Sequence, residues 1–296
     1  MKLKDFILQH NLNYKFKIVK FKEIDEKILN LIKDYSKKVK EDKKFINKLK
    51  KVNKDKLDNF LLILRCLDFR LWEFPKNWEY KNEFGFFGLM ERVIDLFKGD
   101  YENINFNEFK KIISPKENNI NLVKLRYKVF KNSLKWLHKK YDGNFKNYFE
   151  EFQKPMDFCL NLCELEKFKD YYKNLYFLKP NQLLYLEYIL GKNLIGEYKN
   201  NLEELTIFSD WGIMSLFLNL KLIEMPLRYL KKIKRGEIIK KNSLLEIELR
   251  NASIILGEEI AKKLNLPSYI LDNILWSLSR KMILKIPKIK VKTIFY

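Results

Sequence analysis

The feature that most constrains this chain is how rarely a helix would be interrupted: 296 residues contain only nine glycines and seven prolines. Between those breaks the apolar residues recur at three- and four-residue steps, so the sequence predicts helices joined by short loops, an all-α fold. The clearest segment starts at Ser243-Leu-Leu-Glu246, where the serine can cap a helix while the glutamate reaches back to the serine's amide. Leu245, Leu249, Ala252, Leu256 and Ile260 then form one apolar stripe. Pro267-Ser268 ends that helix and starts another, with Ile270, Leu271, Ile274, Leu275 and Leu278 on its buried face and Lys281 at its polar end. Near the start of the chain, residues 18–40 read as an amphipathic helix that turns Ile24, Ile28, Leu31 and Ile32 inward. Between Phe74 and Phe87, the residues Pro75, Trp78, Tyr80 and Gly85 mark a loop-rich stretch with room for a short β-hairpin.

With 47% hydrophobic residues the chain can bury a large core without staples. No repeat, low-complexity tail or Gly/Ser tether divides it, so residues 1–296 read as a single helical domain, with two lobes around a cleft and a boundary near residue 115, at Ser114-Pro115. Three cysteines, Cys66, Cys159 and Cys163, are too few and odd in number for a secreted disulfide framework, which points to the cytoplasm. Asp5 and the nearby amides break the opening segment before a signal-peptide core can form, and no apolar run approaches the ~20 residues of a membrane span. The formal charge of +21 attracts nucleic acid or phosphorylated small molecules, although a Lys-rich genome would produce the same bias. The oligomeric state is left open.

Only His10 and His138 are present, so a His-based triad or a His-ligated zinc site has little to draw on, and carboxylates and lysines must carry any chemistry. Cys159 and Cys163 sit one helical turn apart with no second ligand pair, which fits buried structural thiols and no metal site. No glycine-rich phosphate loop is present, so no nucleotide cofactor is expected. The most reactive-looking segment is LTIFSDWGIMSLF, where Asp210 stands at an apparent helix start. Such a carboxylate can simply cap the helix, worth about 1 kcal/mol. Facing a cleft, it can instead stabilise the oxocarbenium-like charge on C1′ of a ribose as a base departs. Phe69, Trp72, Trp211 and Trp276 lie close in sequence to Asp68, Asp210 and Asp272. Rings can sandwich a flat heterocycle and buried acids can bond its edges, although each ring taken singly also fits a core.

In order along residues 60–296, the blocks LDFRLWEFPKNWEY, EFGFFGLMERVIDLFKG, FLKPNQLLYLEYIL, LTIFSDWGIMSLF, LLEIELRNASIILGEEI, LDNILW and the terminal KTIFY resemble those of queuosine salvage proteins. That resemblance implies a hydrolase of queuosine 5′-phosphate that releases queuine, on a helical fold like that of helix-hairpin-helix DNA glycosylases. Carried over position by position, it makes Asp210 the essential carboxylate, with Trp211 in place of a tyrosine. It keeps Lys179 and Gln182, with Lys179 holding a phosphate or Asp210. It also keeps Phe69 and Trp72, puts Asp68 in place of an amide, and matches Glu246, Glu248 and Arg250 to an acidic-Arg block and Asp272 and Trp276 to an Asp-x-x-Leu-Trp pattern. Together these imply catalysis by Asp210 with Lys179, and substrate contacts from Asp68, Phe69, Trp72, Gln182, Trp211, Glu248, Arg250, Asp272 and Trp276.

Gly212 and Ser215 stand where the family has Arg and Gln, and its basic C-terminal approach is reduced to Lys288, Lys290 and Lys292. The segment LPSYILDNILW also resembles archaeal 8-oxoguanine DNA glycosylases. That alternative implies a base flipped out of nucleic acid and attack on C1′ by a lysine such as Lys179. A basic helical module that binds nucleic acid without catalysis is the third reading.

Overall fold

In a computed structural model of the protein, every residue is described apart from 38–42, 72–77, 116–119, 194–200, 283 and 296. The described residues form fourteen α-helices: α1 (Leu3–Leu12), α2 (Glu26–Ser36), α3 (Lys43–Leu49), α4 (Leu57–Leu67), α5 (Gly85–Leu96), α6 (Phe106–Ile113), α7 (Val123–Tyr141), α8 (Phe145–Glu151), α9 (Pro155–Asn161), α10 (Lys179–Asn193), α11 (Trp211–Asn219), α12 (Leu227–Lys234), α13 (Leu244–Leu264) and α14 (Ser268–Lys281). Strands occur only as two-residue pairs. β1 (Lys20–Phe21) runs antiparallel to β6 (Ile223–Glu224), β4 (Tyr171–Tyr172) antiparallel to β5 (Leu175–Tyr176), and β7 (Ile238–Ile239) parallel to β8 (Lys290–Val291). β2 (Glu79–Tyr80) and β3 (Glu83–Phe84) make the expected hairpin, turning through Lys81 and Asn82 with φ of 50° and 60°. Positive φ at both central residues matches the right-handed twist of the strands, and asparagine tolerates it well.

The apolar side chains gather into two cores. The first is built by α1 and α3 to α10, the second by α2, α11, α13, α14 and the final strand. Residues on both sides of position 115, such as Ile113 and Val129, share the first core. Residues 205–213 pass between the cores, with Leu205 and Phe208 in the first and Ile207 and Ile213 in the second. Helix α13 is the common wall: Ile247 and Ile254 enter the first core, while the stripe Leu245, Leu249, Ala252, Leu256 and Ile260 enters the second.

Three local expectations change. Ser243 Oγ accepts the Glu246 amide at 3.4 Å, but Glu246 Oε2 reaches past the serine to the Asn242 amide at 2.9 Å. Of the helix read over 18–40, residues 38–40 lie outside the described residues, and the described part is α2, because Asp25 caps it by accepting the Ile28 amide and Lys20 and Phe21 are drawn into β1. Leu31 is 41% exposed and Ile270 is 37% exposed. Successive helical residues point about 100° apart, and these two fall at the edges of stripes set by Ile28, Leu29 and Ile32 in α2 and by Leu271, Ile274, Leu275 and Leu278 in α14.

Candidate active site

Residues 206–210 link the two cores, and buried side chains hold several of the backbone groups along them. The Thr206 amide donates to Gln182 Oε1 of α10 at 2.7 Å, and the Ile207 amide to Glu258 Oε1 of α13 at 3.0 Å. The Phe208 amide donates to Asp272 Oδ1 of α14 at 2.8 Å, and the Ser209 carbonyl accepts Arg250 of α13 at 3.2 Å. A buried polar backbone must be paired, and here three helices supply partners in register. The segment also lies tight on α13, since a Cβ on Gly257 would sit 2.4 Å from Ile207 Cγ1. The next residue, Asp210, is therefore delivered at a fixed position.

Asp210 is the N-cap of α11. Its Oδ1 accepts the amides of Gly212 at 2.7 Å and Ile213 at 3.0 Å, and its Oδ2 lies 3.0 Å from Lys179 Nζ. Two orphan amides, the positive end of the helix and an ammonium all favour the anion. Lys179 opens α10 and is itself aimed. Its amide donates to Asp170 Oδ2 at 2.9 Å, and the preceding Leu178 takes φ of 50°, a left-handed turn unusual for a leucine. The wholly buried Asp170 is clamped by Arg250, with contacts of 2.5 and 2.8 Å. Asp210 is 5% exposed, surrounded by polar groups rather than by hydrocarbon.

Around it lie two half-buried indoles with cations on their faces: Lys288 Nζ sits 4.5 Å from the Trp211 ring centre and the Arg280 guanidinium 4.7 Å from that of Trp276. Burial and then the neighbouring Arg280 push the Lys288 ammonium below its ordinary range, against the pull of Asp210. Burial, reinforced by the charge of Asp210, raises Asp272 well above the usual carboxylate range. On the other side of Lys179 the buried Lys167 donates to the Asp68 carbonyl at 2.9 Å and to the Ile294 carbonyl, and burial lowers it to about 7. Among the described residues no group of three or more His, Cys, Asp or Glu is arranged to hold a metal ion. Two surface cavities lie elsewhere: one of about 340 Å³ beside Asn59 and Tyr101, the other of about 900 Å³ between α1 and the end of α13, and neither is lined by Asp210.

Asp210 thus stands at a helix start, paired with Lys179 and followed directly by Trp211. The sequence pattern of the family described as queuosine salvage protein matches residues 47–296. The chain belongs to the queuosine salvage proteins. No curated protein matches it. One departure from the family acquires a cause, since a Cβ on Gly212 would meet Asp210 Oδ1 and Ser279 Oγ, each at 3.1 Å. Any side chain there would require Asp210 or Ser279 to shift by a few tenths of an ångström.

Of the residues singled out in the sequence, the structure gathers Asp210, Lys179, Trp211, Asp272 and Trp276. Others have internal work. Glu248 accepts the amides of Lys17, Ile18 and Val19 at 2.7 to 2.8 Å and the Tyr14 hydroxyl at 3.3 Å, so its carboxylate grips the N-terminal segment instead of facing a ligand. Arg250 pairs with Asp170 and the Ser209 carbonyl, and Gln182 bonds Thr206 and the Phe177 carbonyl, so both position the site from behind. Phe69 is wholly buried between Arg126 and Lys167, so its ring stacks no ligand here. Asp68 ends α4 in an ion pair with Arg65, which also holds the buried Glu187. Trp72 lies outside the described residues. Sequence reasoning missed Asp170, Glu258, Lys167 and Arg280. The signal for Glu258 was present, as a charge interrupting the apolar run of α13, but its partner is 51 residues away.

Asp272 makes a pH-dependent expectation. A carboxyl raised in the folded state stabilises while protonated and loses that contribution as pH rises through its folded value. The folded protein should therefore lose stability on the alkaline side as a second negative charge forms beside Asp210. Asp272→Asn keeps the acceptor for the Phe208 amide and cannot ionise, so its melting temperature should fall less towards alkaline pH; an unchanged profile would assign the loss to another group.

Proposed function

We propose that this queuosine salvage protein hydrolyses the N-glycosidic bond of a 7-deazaguanine nucleoside, preferentially its 5′-monophosphate, and releases a queuine-like base. The observation that carries this reading is the Asp210 carboxylate, held by two helix amides and Lys179, with Trp211 next to it in the chain and Trp276 one turn beyond Asp272 on α14. As the C1′–N bond lengthens, positive charge grows on the ribose, and a preorganised anion in a nearly dry site stabilises that charge more than the ground state. Water adds its hydroxyl to C1′, and its remaining proton ends on the departing base; Asp272, whose pKa burial and Asp210 raise, is the acid this reading assigns to hydrogen-bond that base. The indoles offer stacking faces, worth about 1–3 kcal/mol per base. Arg280 and Lys288, like charges held close enough for one to depress the other, favour a phosphate between them.

Lys179 serves this reading as a positioning cation, because an ammonium paired with Asp210 lacks the lone pair that attack on C1′ requires. The free thiols Cys66, Cys159 and Cys163 suit a reducing cytoplasm. No helix among the described residues is long and apolar enough to cross a membrane.

The deciding experiment incubates the protein with modified nucleosides, their 5′-monophosphates and damaged oligonucleotides, and scores free base by mass spectrometry. Free 7-deazaguanine base from the monophosphate is expected. Release only from oligonucleotides, with a borohydride-trapped adduct on Lys179, would replace this reading with a DNA glycosylase. Arg280→Met with Lys288→Met should raise KM for the monophosphate at least about tenfold and move KM for the nucleoside much less, the signature of a lost charge-assisted contact. Equal effects on both substrates would remove the phosphate assignment.

A further inference from the structure

The positive charge of this protein is strongly localised. Residues 226–241 and 280–292 carry thirteen Lys and Arg against the single Glu237, more than half of the net +21. The fold joins these two stretches, which are distant in sequence. β7 follows α12 and pairs with β8, Ile238 opposite Lys290, so the basic face of α12 adjoins the basic C-terminal segment. Arg228, Lys231, Lys232 and Lys234 are all exposed along α12, and Ile233 anchors the helix in the second core. Glu237 is already taken by Arg235 at 2.6 Å, so local sequence supplies no second carboxylate to quench the surface.

Rings are set among these cations. The Arg228 guanidinium lies 4.9 Å from the centre of the partly exposed Tyr229 ring, and the cation-bearing indoles Trp211 and Trp276 continue the series towards Asp210. We propose that α12, the β7–β8 pair and the end of α14 form a docking surface for single-stranded RNA. Cations interleaved with aromatic rings match a polyanion whose bases are unpaired and free to stack. A duplex hides its base faces, and the rings would contribute little to binding it. Only the choice of the two indoles as the end of the track rests on the proposed active site; the charged surface stands without it.

The test measures anisotropy of a short labelled oligouridylate between about 50 and 200 mM salt, where a bound phosphate backbone gives a steep salt dependence. The triple variant Lys231→Glu, Lys232→Glu, Lys240→Glu should weaken binding at least about tenfold and reduce the log–log salt slope by about 2 to 3. A control triple with the same charge change, Lys128→Glu, Lys135→Glu, Lys139→Glu on the exposed face of α7, should change affinity less than about twofold. Equal loss from both triples, absence of saturable binding, or preference for phosphatidylserine vesicles over RNA would each overturn the proposal. Base release from a free nucleotide is followed in parallel and should be the same in both triples. A protein that releases no base can still bind RNA, so failure of the one reading is distinguishable from failure of the other.

Discussion

Replacing Asp210 by asparagine is expected to reduce base release by about a hundred- to a thousandfold, with the folded structure kept. The energetic case rests on the two roles of this side chain. Asparagine caps a helix about as well as aspartate, so Oδ1 continues to accept the Gly212 and Ile213 amides. What disappears is the negative charge facing C1′, and removing a preorganised charge partner of a transition state costs about 3 to 4 kcal/mol. Lys179 loses its partner at 3.0 Å, while Asp272 is relieved of a neighbouring carboxylate. These changes oppose each other, so the thermal midpoint should move by no more than about 5 °C. Single-turnover base release, substrate affinity and a thermal melt on one preparation separate the outcomes. Normal hydrolysis by the variant would end the proposed mechanism, and a collapsed melt would leave Asp210 with no role beyond capping.

Arg250→Met should be the most destabilising change near the site. It removes both hydrogen bonds to Asp170, which is wholly buried, and leaves that carboxylate without its compensating charge. Breaking one partner of a buried pair costs about 3–5 kcal/mol, on the order of 10 °C in melting temperature for a chain of this size. Adding Asp170→Asn should restore much of the loss, because the isolated charge is then gone. A contact of Arg250 with substrate predicts the reverse pattern: a stable single variant, a raised KM and no rescue. Melts of the two single variants and the double decide between these roles.

Much of the local structure was legible in the sequence because the interactions that set it span only a few residues. Asp210 announced itself as a helix start, and α11 begins there. Ser243 and Pro267-Ser268 marked α13 and α14, and the loop-rich stretch around Gly85 contained the hairpin. Motif order named the family, which the match over 250 residues, 47–296, then bore out. Errors arose where a residue's neighbours lie on another helix. Glu248 was read as a ligand contact and instead holds amides 229 to 231 residues away. Phe69 was read as a stacking platform and is enclosed by Arg126 and Lys167. Periodicity showed that α13 is apolar along one face; it was silent about the buried Glu248, Arg250 and Glu258 on the same helix.

The sequence by itself determined the helical class, the starts of α13 and α14, and which carboxylate stands at the head of α11. Those outcomes follow from backbone propensity, capping and apolar spacing, all settled within a turn or two of the residue concerned. Only the tertiary structure decided which charges are buried together: Arg250 with Asp170 across 80 positions, Asp272 with the Phe208 amide across 64, and Lys179 with Asp210 across 31. A buried charge is tolerable only where another group is brought to meet it, and chain distance carries no record of which group that will be.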